Sequence, residues 1–192
     1  AVISGVSADV DGSNPRHAFE LVSYDPVSAL GTPLTSSYSG TAILASVSDD
    51  GQSIAFVSSA DLAGTNHDAS PELFLSAGDG TGIVQLTSDA APNAGSVSAA
   101  IISGDGSRIF FLANTDPLGE NPDNRRQLFS IARDGSGLDQ LTAYTTGRFG
   151  LVSVSDDATR VVFAHTGDLL GSDPDLGGEI YAMAGDGSDV SC

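Results

Sequence analysis

A 14-residue segment recurs four times along this chain, and its regular spacing constrains the fold more than any other feature. The segment DLAGTNHDASPELF begins at Asp61, and related copies begin at Asp9, Asp116 and Asp168. These four aspartates are 52, 55 and 52 residues apart, and a glycine lies three residues after each of them. An Asn or Asp follows at the fifth residue and a Glu or Gln at the eleventh. A fixed period of this length predicts a repeat architecture.

Each repeat contains short alternating apolar stretches separated by turn sequences, which indicates β-strands. In the second copy we expect strands near residues 41–48, 52–59, 71–77 and 83–87. Asp-Gly sequences separate the first strand from the second and the third from the fourth. We expect type I′ turns at these places, because such turns need positive φ, which Asp and Gly tolerate. The recurring acidic segment then forms the long loop between the second and third strands.

A four-stranded antiparallel unit repeated about every 50 residues is typical of β-propeller blades. We therefore predict an all-β chain that forms one propeller segment, with blade repeats at about 1–37, 38–88, 89–143 and 144–192. The first repeat begins at its second strand, and the last stops as its fourth strand begins. The expectation is an incomplete propeller or part of a larger one, whose open apolar ends could support self-association.

The second repeat, SVSDDGQSIAFVSSADLAGTNHDASPELFLSAGDGTGIVQLT, resembles the blades of TolB-type, WD-repeat-like β-propellers. The similarity lies in three parts of the repeat: SDDGQSIAF at its start, ELF in its third strand and DGTGIVQLT at its end. Related sequences extend from Val2 to Val190. One departure is Ala158, which stands where the other repeats carry a turn glycine. The resemblance implies a propeller and an extracytoplasmic location. For function it implies a scaffold protein, a peptidase propeller domain or a polysaccharide lyase.

Composition excludes several classes of partner. All seven basic residues are arginine, 25 residues are acidic and the net charge is -18. Nucleic acid is not an expected partner, since phosphate binding draws its affinity from Lys and Arg. No apolar run approaches the roughly 18 residues of a membrane span. The single cysteine, Cys192, cannot form an internal disulfide. The lysine-free, Asp-, Ser- and Gly-rich composition favours a periplasmic or extracellular location.

The four acidic loops should share one rim of the propeller, opposite the rim that holds the short turns. Their oxygen atoms could bind Ca²⁺, which takes six to eight oxygen ligands; no other cofactor is expected. In the alternative, Asp and Asn cap the loop by hydrogen bonds and Gly supplies positive φ, and the recurrence in every repeat favours this role. The calcium candidates are Asp61, Asn66, Asp68, Glu72, Asp116, Asn121, Asp123, Asp168, Asp173, Asp175 and Glu179, together with Asp9, Asp11, Asn14 and Glu20 of the first copy.

Arginine and histidine are rare enough in this sequence to consider one by one. Arg125 and Arg126 interrupt the acidic pattern of the third loop and are candidates for a contact point. The histidines occupy unrelated positions in the repeats, so local packing is favoured over zinc binding, which needs three or four converging ligands. They are His17, His67 and His165.

The sequence contains no G-x-S-x-G elbow, P-loop or H-E-x-x-H motif, so no residue is nominated for catalysis. We therefore expect a non-enzymatic binding or scaffold propeller that presents its acidic loops to a protein or carbohydrate partner. Two alternatives remain open at this point. One is the propeller portion of an extracytoplasmic hydrolase or lyase, and the other is a calcium-stabilised structural repeat of a cell-surface or filament protein.

Overall fold

The computed structural model describes residues 2–6, 12, 19–25, 27–28, 30–36, 40–88, 95–171 and 177–192. Within these ranges the chain forms fourteen strands in four antiparallel sheets, and no helix that could span a bilayer is present. The strands are β1 (Val2–Val6), β2 (Glu20–Asp25), β3 (Leu30–Pro33), β4 (Ala42–Val47), β5 (Ser53–Ser58), β6 (Glu72–Ala77), β7 (Val84–Gln85), β8 (Val97–Ile102), β9 (Arg108–Ala113), β10 (Gln127–Ala132), β11 (Asp139–Gln140), β12 (Phe149–Val154), β13 (Arg160–His165) and β14 (Glu179–Ala184).

Each sheet corresponds to one sequence repeat. The second sheet has the order β4-β5-β6-β7 and the third has the order β11-β10-β9-β8, so both are four-stranded meanders. This confirms the predicted all-β blade unit. Among the described residues, the first sheet consists of β1, β2 and β3, which the repeat spacing aligns with the second, third and fourth strands of a blade. In the last sheet, a single bridge between Ala182 and Ser191 marks the start of a fourth strand.

The first strands of the three later sheets lie side by side: β4 contacts β8, and β8 contacts β12. The outermost strands, β7 and β11, are only two residues long. Each inner strand carries one register shift against its neighbour, and such bulges bend and twist a strand. Their recurrence in all three sheets fits inner strands that converge on a common axis. The shifts lie between Ile43 and Ser46, between Val97 and Ala99, and between Phe149 and Val152.

Three apolar layers fill the spaces between successive sheets. Neighbouring residues of a strand point to opposite faces, so Ile54 and Phe56 of β5 pack toward the first sheet, whereas Val57 packs toward the third. Strand β9 repeats this alternation between the second and fourth sheets. Phe56 stacks on Phe74 with ring centroids 5.7 Å apart. The alternation read from the sequence therefore corresponds to the two buried faces of each inner blade.

The short turns differ from the predicted type I′ geometry. The Gly51 N–H donates to the Ser48 carbonyl at 2.8 Å, and of residues 49–51 only Gly51 has positive φ, at 70°. A type I′ turn needs positive φ at both central residues, so that prediction is wrong here. The Asp50 carboxylate instead accepts hydrogen bonds from Ser48 Oγ (2.6 Å) and the Gln52 N–H (2.9 Å), which stabilise a turn with one left-handed residue. These hydrogen bonds lower the pKa of Asp50.

Main-chain hydrogen bonds connect these turns from one sheet to the next. The Asp49 N–H donates to the Gly104 carbonyl at 2.8 Å, and the Asp105 N–H donates to the Asp156 carbonyl at 2.8 Å. The approach is close, because a Cβ on Gly104 would lie 2.9 Å from the Cα of Asp156. The second, third and fourth sheets are thus joined at this rim by backbone atoms, in addition to their apolar layers.

The outward face of the fourth sheet is apolar and exposed. Leu151, Val162 and Ile180 have exposed fractions of 86%, 42% and 61%. Phe110 and Leu128 of the third sheet occupy positions equivalent to Val162 and Ile180, and both are buried against the fourth sheet. The alternation that fills the interior layers therefore leaves an uncovered apolar face within the described part of the chain.

We expect Phe56→Ala and Phe111→Ala each to lower the free energy of unfolding by about 3 to 5 kcal/mol, because both rings are fully buried between sheets. The control is Leu151→Ala, which truncates an exposed side chain and should change the free energy by less than about 0.5 kcal/mol. Urea unfolding of the three variants measures these differences. Equal, small losses would contradict the packing described above.

Candidate functional site

The acidic loop of the second sheet is held in shape by its own asparagine. The Asn66 N–H donates to Asp61 Oδ1 at 2.9 Å, and Asn66 Nδ2 donates to the Ser70 carbonyl at 2.9 Å. The Asn66 side chain is buried although the loop lies on the surface. Gly64, at φ 75°, provides the left-handed conformation that the backbone of this loop requires. Three of the repeated positions thus have a structural role in this loop.

The corresponding loop of the third sheet has the same arrangement. The Asn121 N–H donates to Asp116 Oδ1 at 2.7 Å. Its Nδ2 donates to the Thr115 carbonyl at 2.8 Å and to the Arg125 carbonyl at 2.7 Å, and its Oδ1 accepts from the Arg125 N–H at 3.2 Å. One buried amide therefore bridges the beginning and the end of the loop, as the capping alternative predicts. Gly119 is again left-handed, at φ 74°.

A second repeated contact fixes the end of the loop to the sheet. Thr142 Oγ1 accepts the Leu128 N–H at 2.9 Å and donates to Gln127 Oε1 at 2.8 Å. In the second sheet Thr87 accepts from Leu73 N–H at 2.9 Å and donates to the Glu72 carboxylate. This contact accounts for the recurring Glu or Gln and for the threonine that follows the fourth strand. The Glu72 carboxylate also accepts a hydrogen bond from Ser70 Oγ at 2.9 Å.

The calcium candidates are spread along these loops. The described residues contain no group of three or more His, Cys, Asp and Glu side chains that could hold a metal ion. Asp68 accepts hydrogen bonds from Ser70, Asp123 is exposed, and Asp168 and Glu179 are half-buried. Glu20 is buried in the first sheet. Calcium binding stays a prediction, and the candidates outside the described residues are Asp9, Asp11, Asn14, Asp173 and Asp175, as is His17 among the histidines.

A cavity of about 620 Å³ opens on the same rim, between the third and fourth sheets. The end of the third acidic loop contributes Arg125 and Arg126, and the segment that precedes β12 contributes Tyr144 and Arg148. His165, the last residue of β13, forms another part of the wall. The cavity wall therefore contains three arginines together with the side chains of Tyr144 and His165. The other lining residues are Ser96, Asn114, Asn124, Thr146, Gly147 and Phe149.

The aromatic wall is positioned by hydrogen bonds and ring packing. Gln127 Nε2 donates to the Tyr144 carbonyl at 2.8 Å, and Gln127 Oε1 accepts the Tyr144 N–H at 3.1 Å. The Tyr144 ring lies 6.0 Å from the Phe149 ring and 5.0 Å from the His165 ring. Burial raises the pKa of Tyr144, so its hydroxyl stays protonated at neutral pH. The same repeated residue that anchors the third strand thus also positions the connection that lines the cavity.

His165 is buried beside this wall and is held as a neutral ring. Its Nδ1 accepts the Gly167 N–H at 2.9 Å, which places the ring proton on Nε2. Burial lowers the pKa of the imidazole. The ring also packs against Gly147, where a Cβ would lie 2.4 Å from the imidazole Cε1. Local packing, as expected from the sequence, explains His165, while His67 lies exposed and pairs with Asp61 at 3.3 Å.

Sequence reasoning singled out Arg125 and Arg126 but missed Arg148, Tyr144 and the cavity itself. Arg148 and Tyr144 lie in a connection between repeats, where no internal comparison marks them. The fold alone brings this connection beside the third acidic loop. The only signal in the sequence was that four of the seven arginines, Arg125, Arg126, Arg133 and Arg148, lie between residues 125 and 148.

We expect Asn121→Ala to lower the free energy of unfolding by about 1 to 3 kcal/mol, because the change leaves two carbonyl groups and one N–H of the loop without their partner. Asp123→Ala, an exposed substitution in the same loop, is the matched control and should have little effect. Urea unfolding measures both. Similar losses in the two variants would mean that the buried amide does not hold the loop.

His165 should make stability depend on pH. Because its folded-state pKa lies below the ordinary value of about 6.5, the unfolded chain takes up the proton first as the pH falls. Stability that is present above about pH 6.5 is therefore lost as the pH falls toward the lowered pKa. We expect wild type to lose more stability than His165→Gln between about pH 7.5 and pH 5, measured by urea unfolding. Parallel pH profiles would contradict a buried neutral imidazole.

Neither a protein-family model nor a curated protein matches this chain. Solved structures match it at low sequence identity. A protein assigned as TolB from Agrobacterium tumefaciens is 18% identical, with a TM-score of 0.63; the match covers 93% of this chain and 57% of that one. A chain of a nidogen/laminin complex is 8% identical with a TM-score of 0.60, covering 98% and 59%. An oligogalacturonate lyase in complex with manganese is 12% identical with a TM-score of 0.61, covering 91% and 46%.

These similarities show the fold, and they agree with the resemblance read from the repeat. The chain spans less than two thirds of the length of each of these three proteins. Within the described ranges, its sheets are antiparallel and lie side by side. By its fold, this chain is a β-propeller segment, similar in architecture to the TolB structures.

Proposed function

We propose that this chain is a non-enzymatic binding segment of a propeller, which presents its loop rim to a protein partner. The observation that carries this proposal is the buried asparagine that fixes each described acidic loop, Asn66 in the second sheet and Asn121 in the third. A loop that is already ordered loses little conformational freedom when a partner binds. The side chains at its surface are then available for recognition without a role in holding the loop.

The charge of this rim favours a partner with a basic surface. Asp68, Glu120 and Asp123 are exposed on the two described loops, and the whole chain carries a net charge of -18. Complementary potentials accelerate association and select among partners. The occurrence of this fold in a nidogen/laminin complex supports a protein partner. We also propose an extracytoplasmic location, for which the lysine-free composition and the TolB-like fold are the support.

Other expectations remain as proposals beside this one. The cavity between the third and fourth sheets could admit a carbohydrate, and its arginines and aromatic wall are the features that favour such a ligand. Self-association is proposed through the exposed face that contains Leu151 and Ile180, because that face is apolar. Calcium binding by the acidic loops is a further proposal, with Asp68 and Asp123 as exposed carboxylates that could contribute.

Selection of displayed random peptides on the immobilised chain tests the proposed protein partner. We expect the selected peptides to be rich in Arg and Lys, and to bind the double variant Glu120→Gln/Asp123→Asn about three- to tenfold more weakly. The matched control is Asp49→Asn/Asp156→Asn, which removes the same charge from the turns on the opposite rim and should retain the affinity. Peptides without basic residues, or equal losses in the two double variants, would contradict recognition by the loop rim.

A further inference from the structure

Positive charge is concentrated around one cavity of this acidic protein. Arg125, Arg126 and Arg148 are three of its seven arginines, and all three line the space between the third and fourth sheets. None of the described residues that line this cavity is acidic. Asp123 precedes the lining residue Asn124 in sequence but does not itself form part of the wall. The local charge is thus opposite in sign to that of the whole chain.

Among the described residues, no carboxylate forms an ion pair with any of the three guanidinium groups. Across the described ranges, the ion pairs are His67 with Asp61 and Arg108 with Asp139. The main chain of Arg125 is fixed by Asn121, whereas its side chain is exposed, as are those of Arg126 and Arg148. Folding stability therefore does not explain why these charges lie together. A guanidinium presents a planar set of donors that matches a carboxylate in a bidentate geometry.

The wall beside the arginines suits the body of an organic molecule. Tyr144 and Phe149 give the cavity an aromatic side, and the packing of His165 against both rings makes that side rigid. Because His165 Nδ1 accepts the Gly167 N–H, Nε2 keeps its proton and can donate to a ligand. An inorganic anion would contact the arginines but leave the aromatic side uncovered.

We propose that this cavity binds a small organic acid, whose carboxylate groups pair with Arg125, Arg126 and Arg148 while its carbon skeleton covers Tyr144 and Phe149. The volume of about 620 Å³ is within the range of small-molecule sites, about 300 to 1,000 Å³. The ligand's carboxylates could stand on a sugar ring or on an open carbon chain. This inference does not depend on the proposed protein partner, because it concerns the cavity residues and not the exposed loop acids.

Isothermal titration of the whole chain with three probes tests the proposal. Digalacturonate carries carboxylates on sugar rings, citrate carries them on an open chain, and inorganic phosphate is an anion without a carbon skeleton. We expect one of the two organic acids to bind more tightly than phosphate. Arg126→Gln and Arg148→Gln should each weaken that binding about tenfold, the loss of one charge-assisted hydrogen-bonded pair. Both side chains are exposed, so a thermal melt of each variant should match wild type.

The control variant is Arg133→Gln, which removes the same charge from a turn on the opposite rim and should leave the affinity unchanged. Binding of digalacturonate or citrate alone identifies which carbon skeleton the site prefers, and either result supports the proposal. No binding of either acid at about 1 mM would overturn it. Phosphate binding at least as tightly as both acids, or a loss of affinity in Arg133→Gln equal to that in Arg148→Gln, would also overturn it.

Discussion

Face-to-face burial of apolar side chains between neighbouring sheets is the interaction on which the rest of this structure depends. A single four-stranded sheet of this size has two apolar faces and cannot cover either of them alone. In β5, Ile54 and Phe56 pack against the first sheet and Val57 packs against the third, so both faces of this strand are covered. The stacked rings of Phe111 and Phe129 lie in the layer between the second and third sheets. Each blade is thus stabilised mainly by its neighbours.

The polar residues of the repeat have a different task, which is to set the shape of the loops and turns. Asp61, Gly64 and Asn66 recur because each satisfies a backbone requirement of the same loop path. Asp61 Oδ1 and Asn66 Nδ2 form their hydrogen bonds with main-chain groups of the loop. Residues outside the repeat pattern can therefore differ from loop to loop and contact different ligands. The two arginines of the third loop are residues of this kind. Shape and surface chemistry are encoded by separate residues.

The fold could be predicted from the sequence because the same strand and turn positions recur in each repeat. The four strands of the second sheet fall within the ranges that alternation and Asp-Gly turns predicted. Turn type was not predictable in the same way, since the hydrogen bonds accepted by Asp50 outweigh the preference of Asp-Gly for a type I′ turn. The cavity was not predictable either. It combines Arg125 with Arg148, and only the packing of the third sheet on the fourth brings these residues together.

The main-chain hydrogen bonds from Asp49 to Gly104 and from Asp105 to Asp156 also limit where residues can be inserted into this chain. An extra residue in one of these turns would shift a donor away from the acceptor in the adjacent blade, whereas a change of side chain would not. Insertions should therefore be confined to the opposite side of the molecule. The spacing agrees: Ser48 lies 13 positions after Thr35 and Ser155 lies 13 positions after Thr142, but Ser103 lies 16 positions after Thr87. The three additional residues lie in a connection between blades, and the turn side keeps a constant length.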